Sequence, residues 1–489
     1  MESSVRNANG HRFANSSIML YYITLAEWTS TFPHSYFVLI FKAIMSEESA
    51  SKSKDTAFVP EALPWKSRAA VPADQEALQH EEVSEKPVTH IAGTPDGGLT
   101  AWLVIVAVNL TLFSTFGIAN TWGVFQAYYE ENLLRQTSPS NIAWIGSAQY
   151  ALIYLPALAT GRMFDQGYFR IPFLAASCVI VTSVFLTAEC TQFWQFFLVQ
   201  GFSLGVCCGI IVGPALVVIS HWFDRKRGLA MSFAAIGASS GSTVFPAAAQ
   251  KLIPSIGFQW TMRVFGFILL ATLGMANILL KRRLPPVNVS GGLFNIKAFR
   301  NTAYTIYCIS GMLGFLGLYT ELTYISVSAI AIGVSKNFAF YIIAIANGAS
   351  TFGRLSSGLM ADKIGVLNTM AVFTAMAGIT TFAWPFATNE SQVIAIAAIY
   401  GFSSGGFLAL FALAAVALGD IEDAGRRVGM FMSLAAFGAI AGPPISGAIS
   451  TASGGFVDAG FYAGGNIMCS AGLLLLARCL HLKRLWGKY

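Results

Sequence analysis

The sequence predicts an all-α integral membrane protein with twelve transmembrane helices in two six-helix pseudo-repeats. Of the 489 residues, 55% are hydrophobic and only 11% are charged, and the mean hydropathy is +0.60. Ordinary soluble domains carry roughly 25% charged residues, so this chain has too little charge for a water-facing surface. Regular apolar runs of membrane-crossing length and a motif that occurs twice complete the prediction.

Residues 1–98 are predicted to form a disordered tail, which we expect in the cytoplasm. Segments such as ESASKSKD and HEEVSEKP are polar and show no periodicity. Residues 17–45 are half apolar, but Glu27 and Pro33 interrupt them, and they lack the small-residue cleavage pattern of a signal peptide. Met45 is an alternative start of translation.

Twelve apolar runs follow the tail, each about as long as the ~20 residues that cross a bilayer core. The predicted spans are residues 99–125, 141–163, 171–189, 193–220, 228–250, 259–280, 302–330, 338–361, 366–387, 391–418, 428–450 and 459–482. They form an N-terminal half at 99–280 and a C-terminal half at 302–489. A cytoplasmic linker at 281–301, which contains KRRLPPVNVSGG, joins the halves.

Basic residues in the short loops predict the orientation. On one side of the predicted bundle lie Arg162, Arg170, Arg225, Lys226, Arg227, Lys281, Arg282, Arg283, Lys297, Arg300, Lys363, Arg426, Arg427, Arg478, Lys483, Arg484 and Lys488. The opposite side has only Arg135, Lys251, Arg263 and Lys336. Positively charged loops stay in the cytoplasm, so we expect both termini there and a multi-pass protein of the cell membrane.

An internal repeat relates the two halves. GFSLG at 201–205 returns as GFSSG at 401–405, and GASSG at 237–241 corresponds to GAIAG at 438–442, with an offset of 201 residues. FDRKRG and AGRRVG correspond at the same offset. GRMFDQG after the second span has a looser partner in GLMADKIG after the eighth. The repeat predicts two structurally similar halves.

This organisation resembles the major facilitator superfamily of secondary transporters. The opening PDGGLTAWLVIV at 95–106 is similar to the signature of its monocarboxylate porter family, and the continuation GVFQAYYEENLL is similar to the fungal branch. HWFDRKRGLA and GFQWTMRVFGF also fit that family. The resemblance implies a substrate site near the membrane midplane and transport by rocking one half against the other.

Arg354 is the sharpest candidate for contact with a substrate. Counted from Asp362, it lies roughly 12 Å deep in the eighth span at ~1.5 Å per residue, and a guanidinium there costs about 2.5–3.5 kcal/mol unless it faces a cavity or a partner. Asn347, Ser350 and Arg354 share one helix face. Their stripe is predicted to line a substrate path, although an arginine that snorkels or pins a neighbouring helix is an alternative.

The family resemblance implies the same role. Its porters hold a substrate carboxylate with an arginine that precedes a glycine by four residues, a pattern that Arg354 and Gly358 match. Two departures weigh against simple proton-coupled monocarboxylate transport: Ser350 stands where an aspartate is usual, and Asn120 where a lysine is usual. The predicted substrate-binding residues are Asn120, Tyr319, Asn347, Ser350 and Arg354.

Glu321 is the other ionisable group within a span. It is a proton-coupling candidate, but roughly 31 Å along the helix from Arg300 places it near the outer boundary, where a solvated carboxylate is an equal alternative. Weaker polar candidates in the spans, which are as typical of helix bridges as of a cavity, are Asn109, Gln126, Gln149 and Gln200.

Two further groups are predicted to serve conformational change and packing. The resemblance implies that Asp165 with Arg170, and Asp362 with Lys363, hold the inner helix ends together through helix-end and salt-bridge contacts. Small residues allow helices to approach closely, and the predicted packing positions are Gly201, Gly205, Gly209, Gly213, Gly237, Gly241, Gly438 and Gly442.

These features favour a secondary transporter of a small organic compound, for which a carboxylate is one candidate. The chain has no phosphate-binding GxxxxGK[ST] loop, paired metal ligands, catalytic motif or basic patch for nucleic acid. We therefore expect no ATP, cofactor, metal, nucleic acid or enzymatic activity, and one chain should suffice. Efflux of a fungal secondary metabolite is favoured; the alternatives are proton-coupled uptake of a monocarboxylate or related organic anion, and a non-transporting sensor.

Overall fold

The computed structural model describes residues 95–286 and 292–482. Most of the predicted tail, including Met45, and residues 483–489 lie outside the described residues. Long helices dominate the described part of the chain. The membrane-length helices are α1 (Leu99–Leu133), α2 (Asn141–Asp165), α3 (Arg170–Thr187), α4 (Phe193–His221), α5 (Arg227–Ile256), α6 (Phe258–Leu279), α7 (Thr302–Ala331), α8 (Lys336–Ile364), α9 (Val366–Phe386), α10 (Glu390–Ala417), α11 (Ile421–Ser453) and α12 (Val457–Leu482).

The all-helical prediction is confirmed, and each predicted span corresponds to one of these helices. Within the described residues, eleven of the helices are long and apolar enough to cross a membrane. The remaining one, α8, has 29 residues and carries the polar stripe of Asn347, Ser350 and Arg354. The stripe lowers the mean hydropathy of α8. A membrane helix tolerates these polar side chains because they face the interior of the bundle rather than lipid.

Three of the long helices are irregular. The α-helical path of α1 is interrupted at Thr121 and ends in a π-helical turn at Tyr129–Leu133. In α2 the break falls at Leu155 and Pro156, because proline lacks the amide that would continue the helix. A π-helical segment at Phe197–Ser203 follows the first α-helical turn of α4. Such turns let a helix change the face that it presents to its neighbours.

Close helix contacts fall where glycine removes the side chain. Gly201, Gly205, Gly209 and Gly213 of α4 all face α2; Gly237 and Gly241 of α5 face the backbone of α1; Gly438 and Gly442 of α11 face the backbone of α7. A Cβ at any of these positions would press against a neighbouring helix. The paired α5–α1 and α11–α7 contacts are therefore the same contact repeated in each half.

The loop before α1 is fixed by Asp96 of the PDGG motif. Its Oδ1 accepts hydrogen bonds from the backbone amides of Asp224, at 2.6 Å, and Arg225, at 2.8 Å. Gly98 adopts a φ of 90°, in the region that favours glycine. The motif therefore joins the start of the bundle to the α4–α5 loop.

The two sets of six helices meet mainly through two pairs. Helix α5 packs on α8, and α2 packs on α11. Helices α1 and α7 also line the space between these pairs. This arrangement places a cavity at the centre of the bundle, where the predicted polar residues of α1, α7 and α8 converge.

Candidate functional site

A central cavity lies between the two sets of helices. Most of its lining is apolar or aromatic. The five predicted substrate-binding residues all line it, namely Asn120, Tyr319, Asn347, Ser350 and Arg354. The structure thus brings together residues that are up to 234 positions apart in the sequence.

Among the described residues that line this cavity, Arg354 alone is charged. Its side chain is 7% exposed, and its Nε donates to Oγ of Ser350 at 3.3 Å. The two terminal nitrogens have no hydrogen-bond partner within residues 95–286 and 292–482, and they face the cavity. A buried guanidinium without a carboxylate partner is a strong site for an anion.

Two tyrosines from opposite halves meet beside Arg354. The hydroxyls of Tyr154 in α2 and Tyr319 in α7 lie 2.8 Å apart, and both tyrosines lie near the guanidinium. Tyr150, one turn from Tyr154, places its ring 6.0 Å from that of Tyr319. The pair links the two halves at the cavity wall and sets two hydroxyls next to the positive charge.

Aromatic rings form much of the remaining wall. Phe315 of α7 packs at 5.5 Å against Tyr154 and at 6.2 Å against Phe411 of α10, and Phe116 of α1 lies 6.3 Å from Tyr154. Phe116 and Phe411 both line the cavity. Flat apolar surfaces beside one cation suit a planar organic anion.

The amide side chains at the cavity are already engaged with backbone. Nδ2 of Asn120 donates to the carbonyl of Phe116 at 2.8 Å, one turn back in α1. Nδ2 of Asn347 donates to the carbonyl of Ser242 at 3.5 Å, which links α8 to α5. Their amide oxygens are the groups that remain for a ligand.

Sequence reasoning missed Tyr154, Ser242, Ser404 and the aromatic residues of the wall, which also line the cavity. Phenylalanine and tyrosine inside an apolar span look the same whether they face lipid, a neighbouring helix or a cavity. The available signal was the spacing of Tyr150 and Tyr154, which places two hydroxyls on one face of α2.

The other polar candidates lie away from the cavity lining. Asn109 donates to the carbonyl of Phe233 at 2.9 Å, which bridges α1 and α5, and Gln126 pairs with Trp122 and Glu130 along α1. Gln200 accepts from Tyr129 at 2.6 Å. The side chain of Gln149 is fully buried. Asn109 and Gln200 therefore serve as bridges between helices.

Of the two alternatives for Glu321, the solvated carboxylate is wrong. Helix α7 continues ten residues beyond it to Ala331, and its side chain is 0% exposed. Oε2 lies within hydrogen-bond distance of Oγ1 of Thr381 in α9, at 2.9 Å. Position along a helix gives depth but not direction, and Glu321 points into the packed helices rather than towards water.

Two carboxylates join the halves at one end of the bundle, which we call the basic end because α2, α4, α6, α8 and α10 finish there beside the basic loops. Asp165 accepts hydrogen bonds from the amides of Gly425 and Arg426 in α11, at 3.0 and 2.9 Å. Asp362 accepts from the amides of Gly228 and Leu229 in α5, at 2.8 and 3.0 Å. Each carboxylate thus binds the positive end of a helix in the other half.

The basic partner predicted for Asp165 differs from the one observed. Arg170 is exposed and faces a groove with Lys281 and Arg282, and Lys363 is also exposed. Asp165 instead has Arg282 nearby, whose Nη2 donates to the Asp165 carbonyl at 3.2 Å. The resemblance paired Asp165 with Arg170, whereas the α6–α7 segment brings Arg282 to Asp165 from 117 positions away.

With this geometry established, comparison with known proteins identifies the family. Residues 102–417 match the family described as Major Facilitator Superfamily. The chain belongs to this superfamily. The chain is 35% identical over 376 residues to the aspyridones efflux protein apdF of Emericella nidulans, a match that covers 76% of this chain and 77% of the relative. It is 33% identical to the MFS transporter asaE of Aspergillus flavus, over 81% of this chain and 91% of the relative.

Solved structures show the same fold. The human organic anion transporter MFSD10 (TETRAN) aligns with a TM-score of 0.59 and 16% identity, over 78% of this chain and 98% of that chain. The fucose:proton symporter FucP of E. coli aligns with a TM-score of 0.60 and 16% identity, over 77% and 98%. The superfamily is therefore assigned from sequence and its fold from structure, and the protein is a transporter.

Proposed function

We propose that this transporter exports a small, planar organic acid made by a fungal cell, and that Arg354 binds its acidic group. The observation that carries the proposal is the buried guanidinium in the central cavity. Two of its nitrogens face the cavity without a protein partner among the described residues. An acidic group placed there completes a pair of charge-assisted hydrogen bonds.

The surroundings of Arg354 support an anion larger than a simple monocarboxylate. The cavity has an aromatic wall that includes Phe116 and Phe411. A two- or three-carbon acid would leave most of this wall uncovered, whereas a ring system would bury against it. The name of the relative apdF, an efflux protein for aspyridones, supports the same direction and class of cargo.

Uptake of a monocarboxylate or related anion is the second candidate. The opening at residues 95–106 resembles the monocarboxylate porter signature, and Arg354 suits any carboxylate. The absence of charge at Ser350 and Asn120 counts against it, because both line the cavity as neutral groups. A sensor that binds the same anion without transporting it is the third candidate.

The membrane and the topology belong to the same proposal. We place the protein in the cell membrane with both termini in the cytoplasm, because the loops at the basic end carry most of the Lys and Arg residues. The basic end then faces the cytoplasm. Labelling a cysteine introduced in the α2–α3 loop with a membrane-impermeant reagent tests this, since it should react in open vesicles and not in intact cells.

Untargeted mass spectrometry of cells and medium from the native host tests the function. We compare wild type, the gene deletion, Arg354→Ala and Arg354→Lys. The expected result is one acidic compound that accumulates in the deletion cells and disappears from their medium. Arg354→Ala should reproduce the deletion, and Arg354→Lys should recover only part of the export because a lysine lacks the two-pronged donor geometry.

Arg263→Ala is the matched control. Arg263 forms an exposed ion pair with Glu189 at 2.7 Å, distant in sequence from the cavity lining, so its loss should leave export unchanged. If an organic acid instead stays unconsumed in the deletion medium, uptake is the correct function. If neither uptake nor export changes while gene expression responds to an external acid, the protein is a sensor.

A further inference from the structure

Glu321 is buried on the side of α7 that faces away from the central cavity. Its neighbours Tyr319 and Leu322 both line that cavity, whereas Glu321 is 0% exposed and its carboxyl reaches Thr381 of α9. Burying a carboxyl in such a position within the membrane is energetically costly, and residues of this kind usually mark functional sites. The role of Arg354 in binding an anion does not account for it.

The hydrogen bonds around Glu321 fit a neutral carboxylic acid. Oγ1 of Thr381 lies 2.9 Å from Oε2 of Glu321 and also 2.9 Å from the carbonyl oxygen of Ala377, one turn back in α9. A threonine hydroxyl has one proton to donate. If that proton goes to Ala377, the contact with Glu321 is satisfied only when Glu321 itself carries a proton and donates it to Thr381.

No cation among the described residues compensates a charge on Glu321. Oε1 has no hydrogen-bond partner there and is fully enclosed. Leu322, next to Glu321 in α7, packs against an apolar cluster of Ala377, Tyr400 and Ile467. An ionised carboxylate with one bare oxygen in this setting would be strongly disfavoured.

Helices α10 and α11 bring neutral groups to this region. Tyr400 of α10 is the titratable neighbour, and its hydroxyl donates to the carbonyl of Leu318. From α11, Ser446 bonds to Thr320 at 2.7 Å. Arg354 of α8 interacts with Tyr319 on the cavity side of α7, so the charge of the substrate site and Glu321 lie on opposite faces of one helix.

We propose that Glu321 is the proton-binding residue that couples this transporter to the proton gradient, and that it holds its proton in the conformation described here. The proton passes from water to a carboxylate oxygen when α7 and α9 admit water, and returns to water on the other side after the halves have rocked. One proton is bound and one is released per cycle. The inference rests on the proposed export, in which an inward proton movement drives an outward movement of substrate.

The link to the halves runs through α7 itself. Tyr319 is two residues from Glu321 and joins Tyr154 of the other half through their hydroxyls at 2.8 Å. A charge on Glu321 draws the Thr381 hydroxyl away from Ala377 and favours the entry of water between α7 and α9. The same helix then carries both the proton site and a contact between the halves.

Infrared spectroscopy tests the proton directly, without any substrate. The full-length protein in lipid nanodiscs is compared with Glu321→Gln and with Glu189→Gln, a half-exposed carboxylate that serves as control. The expected wild-type spectrum at neutral pH contains the C=O stretch of a protonated carboxylic acid, which shifts in heavy water. This contribution should be absent from Glu321→Gln, unchanged in Glu189→Gln and shifted in frequency by Thr381→Val. A wild-type spectrum whose acid band equals that of Glu321→Gln overturns the proposal.

An export assay tests the coupling. Cells carrying wild type, Glu321→Gln or Glu189→Gln are placed in acidic and alkaline media, and the acidic compound that the deletion strain retains is measured. Wild type and Glu189→Gln should export at least tenfold faster in acidic medium, and Glu321→Gln should lose this dependence. If Glu321→Gln exports with the same pH dependence as wild type, the inference is overturned. The proposed export function is then still tested separately by Arg354→Ala. If the deletion retains no compound, the proposed function fails and the infrared result still decides the state of Glu321.

Discussion

The two carboxylate clamps at the basic end have the same geometry but different surroundings. In each, an aspartate at the end of one helix accepts two consecutive backbone amides at the start of a helix in the other half, between 2.8 and 3.0 Å. Asp165 is 4% exposed, whereas Asp362 is only half buried. The duplicated sequence therefore sets the backbone contact, and the local neighbours set its strength.

The Asp165 clamp has additional support from Arg282. The guanidinium donates to the carbonyls of Phe164 and Asp165 and lies 4.9 Å from the centre of the Phe164 ring. Burial lowers the pKa of Arg282, and the nearby Asp165 carboxylate opposes that shift. Arg282 closes the carbonyl end of α2 while Asp165 closes the amide end of α11.

Adding a side chain where α2 crosses α11 should open the basic end more than any other change. A Cβ at Gly161 would collide with the carbonyl oxygen of Gly425, so Gly161→Val should force the basic end open in most molecules. Spin labels on the α2–α3 and α10–α11 loops measure the separation. Gly274→Val is the control, because nothing lies within 4 Å of that position; equal separations in the two variants would show that the crossing is not tightly packed.

Removal of the charge at Asp165 should have the next largest effect. Hydrogen bonds to a charged group contribute about 1.5–3 kcal/mol, and about 2 kcal/mol corresponds to a roughly 30-fold shift from closed to open. The same spin-label distances in Asp165→Asn measure this shift. Asp458→Asn, at an exposed aspartate in the first turn of α12, should leave the distances unchanged.

Asp362→Asn should open the basic end less than Asp165→Asn. The Asp362 carboxylate is more exposed than that of Asp165, so water replaces part of the hydrogen bonding that the substitution takes from the amides. We therefore expect a loss of about 1 kcal/mol, or a roughly fivefold shift from closed to open. Spin labels on the α4–α5 and α8–α9 loops report on this clamp. A shift equal to or larger than that of Asp165→Asn would contradict the ranking by burial.

The smallest effect is expected for Arg282. Arg282→Gln keeps hydrogen-bond donors but loses the charge and the contact with the Phe164 ring, which is about 0.5–1 kcal/mol at a partly exposed site. It should open the α2–α11 clamp slightly and leave the α5–α8 clamp unchanged. Increased salt should reduce the difference in clamp opening between Arg282→Gln and wild type, because salt screens the lost charge. If the difference does not depend on salt, the effect of Arg282 comes from packing rather than from its charge.

Much of the fold was predictable because it depends on local properties of the sequence. Apolar runs of about 20 residues placed the helices, and the repeated glycine motifs related the two halves. The spacing of Asn347, Ser350 and Arg354 placed three side chains on one face of α8, and the same face lines the cavity. The two aspartates were found because glycine and acidic residues recur at a helix end in both halves.

The partners of these residues were not predictable in the same way. The sequence indicated that Asp165 lies at a helix end, but its ligands are amides 260 and 261 positions away. Tyr154 and Tyr319 meet across 165 positions. Tertiary packing alone decided these contacts.

By itself the sequence determined the membrane, the twelve helices, their duplication and one polar face in the eighth. The tertiary structure decided that Arg354 faces a cavity without a carboxylate, that Arg282 rather than Arg170 supports Asp165, and that Glu321 is enclosed. The physical reason is that hydropathy and helical period act within one segment. Hydrogen-bond partners and burial depend on which segments pack together, and in a membrane many helix pairings bury apolar surface equally well.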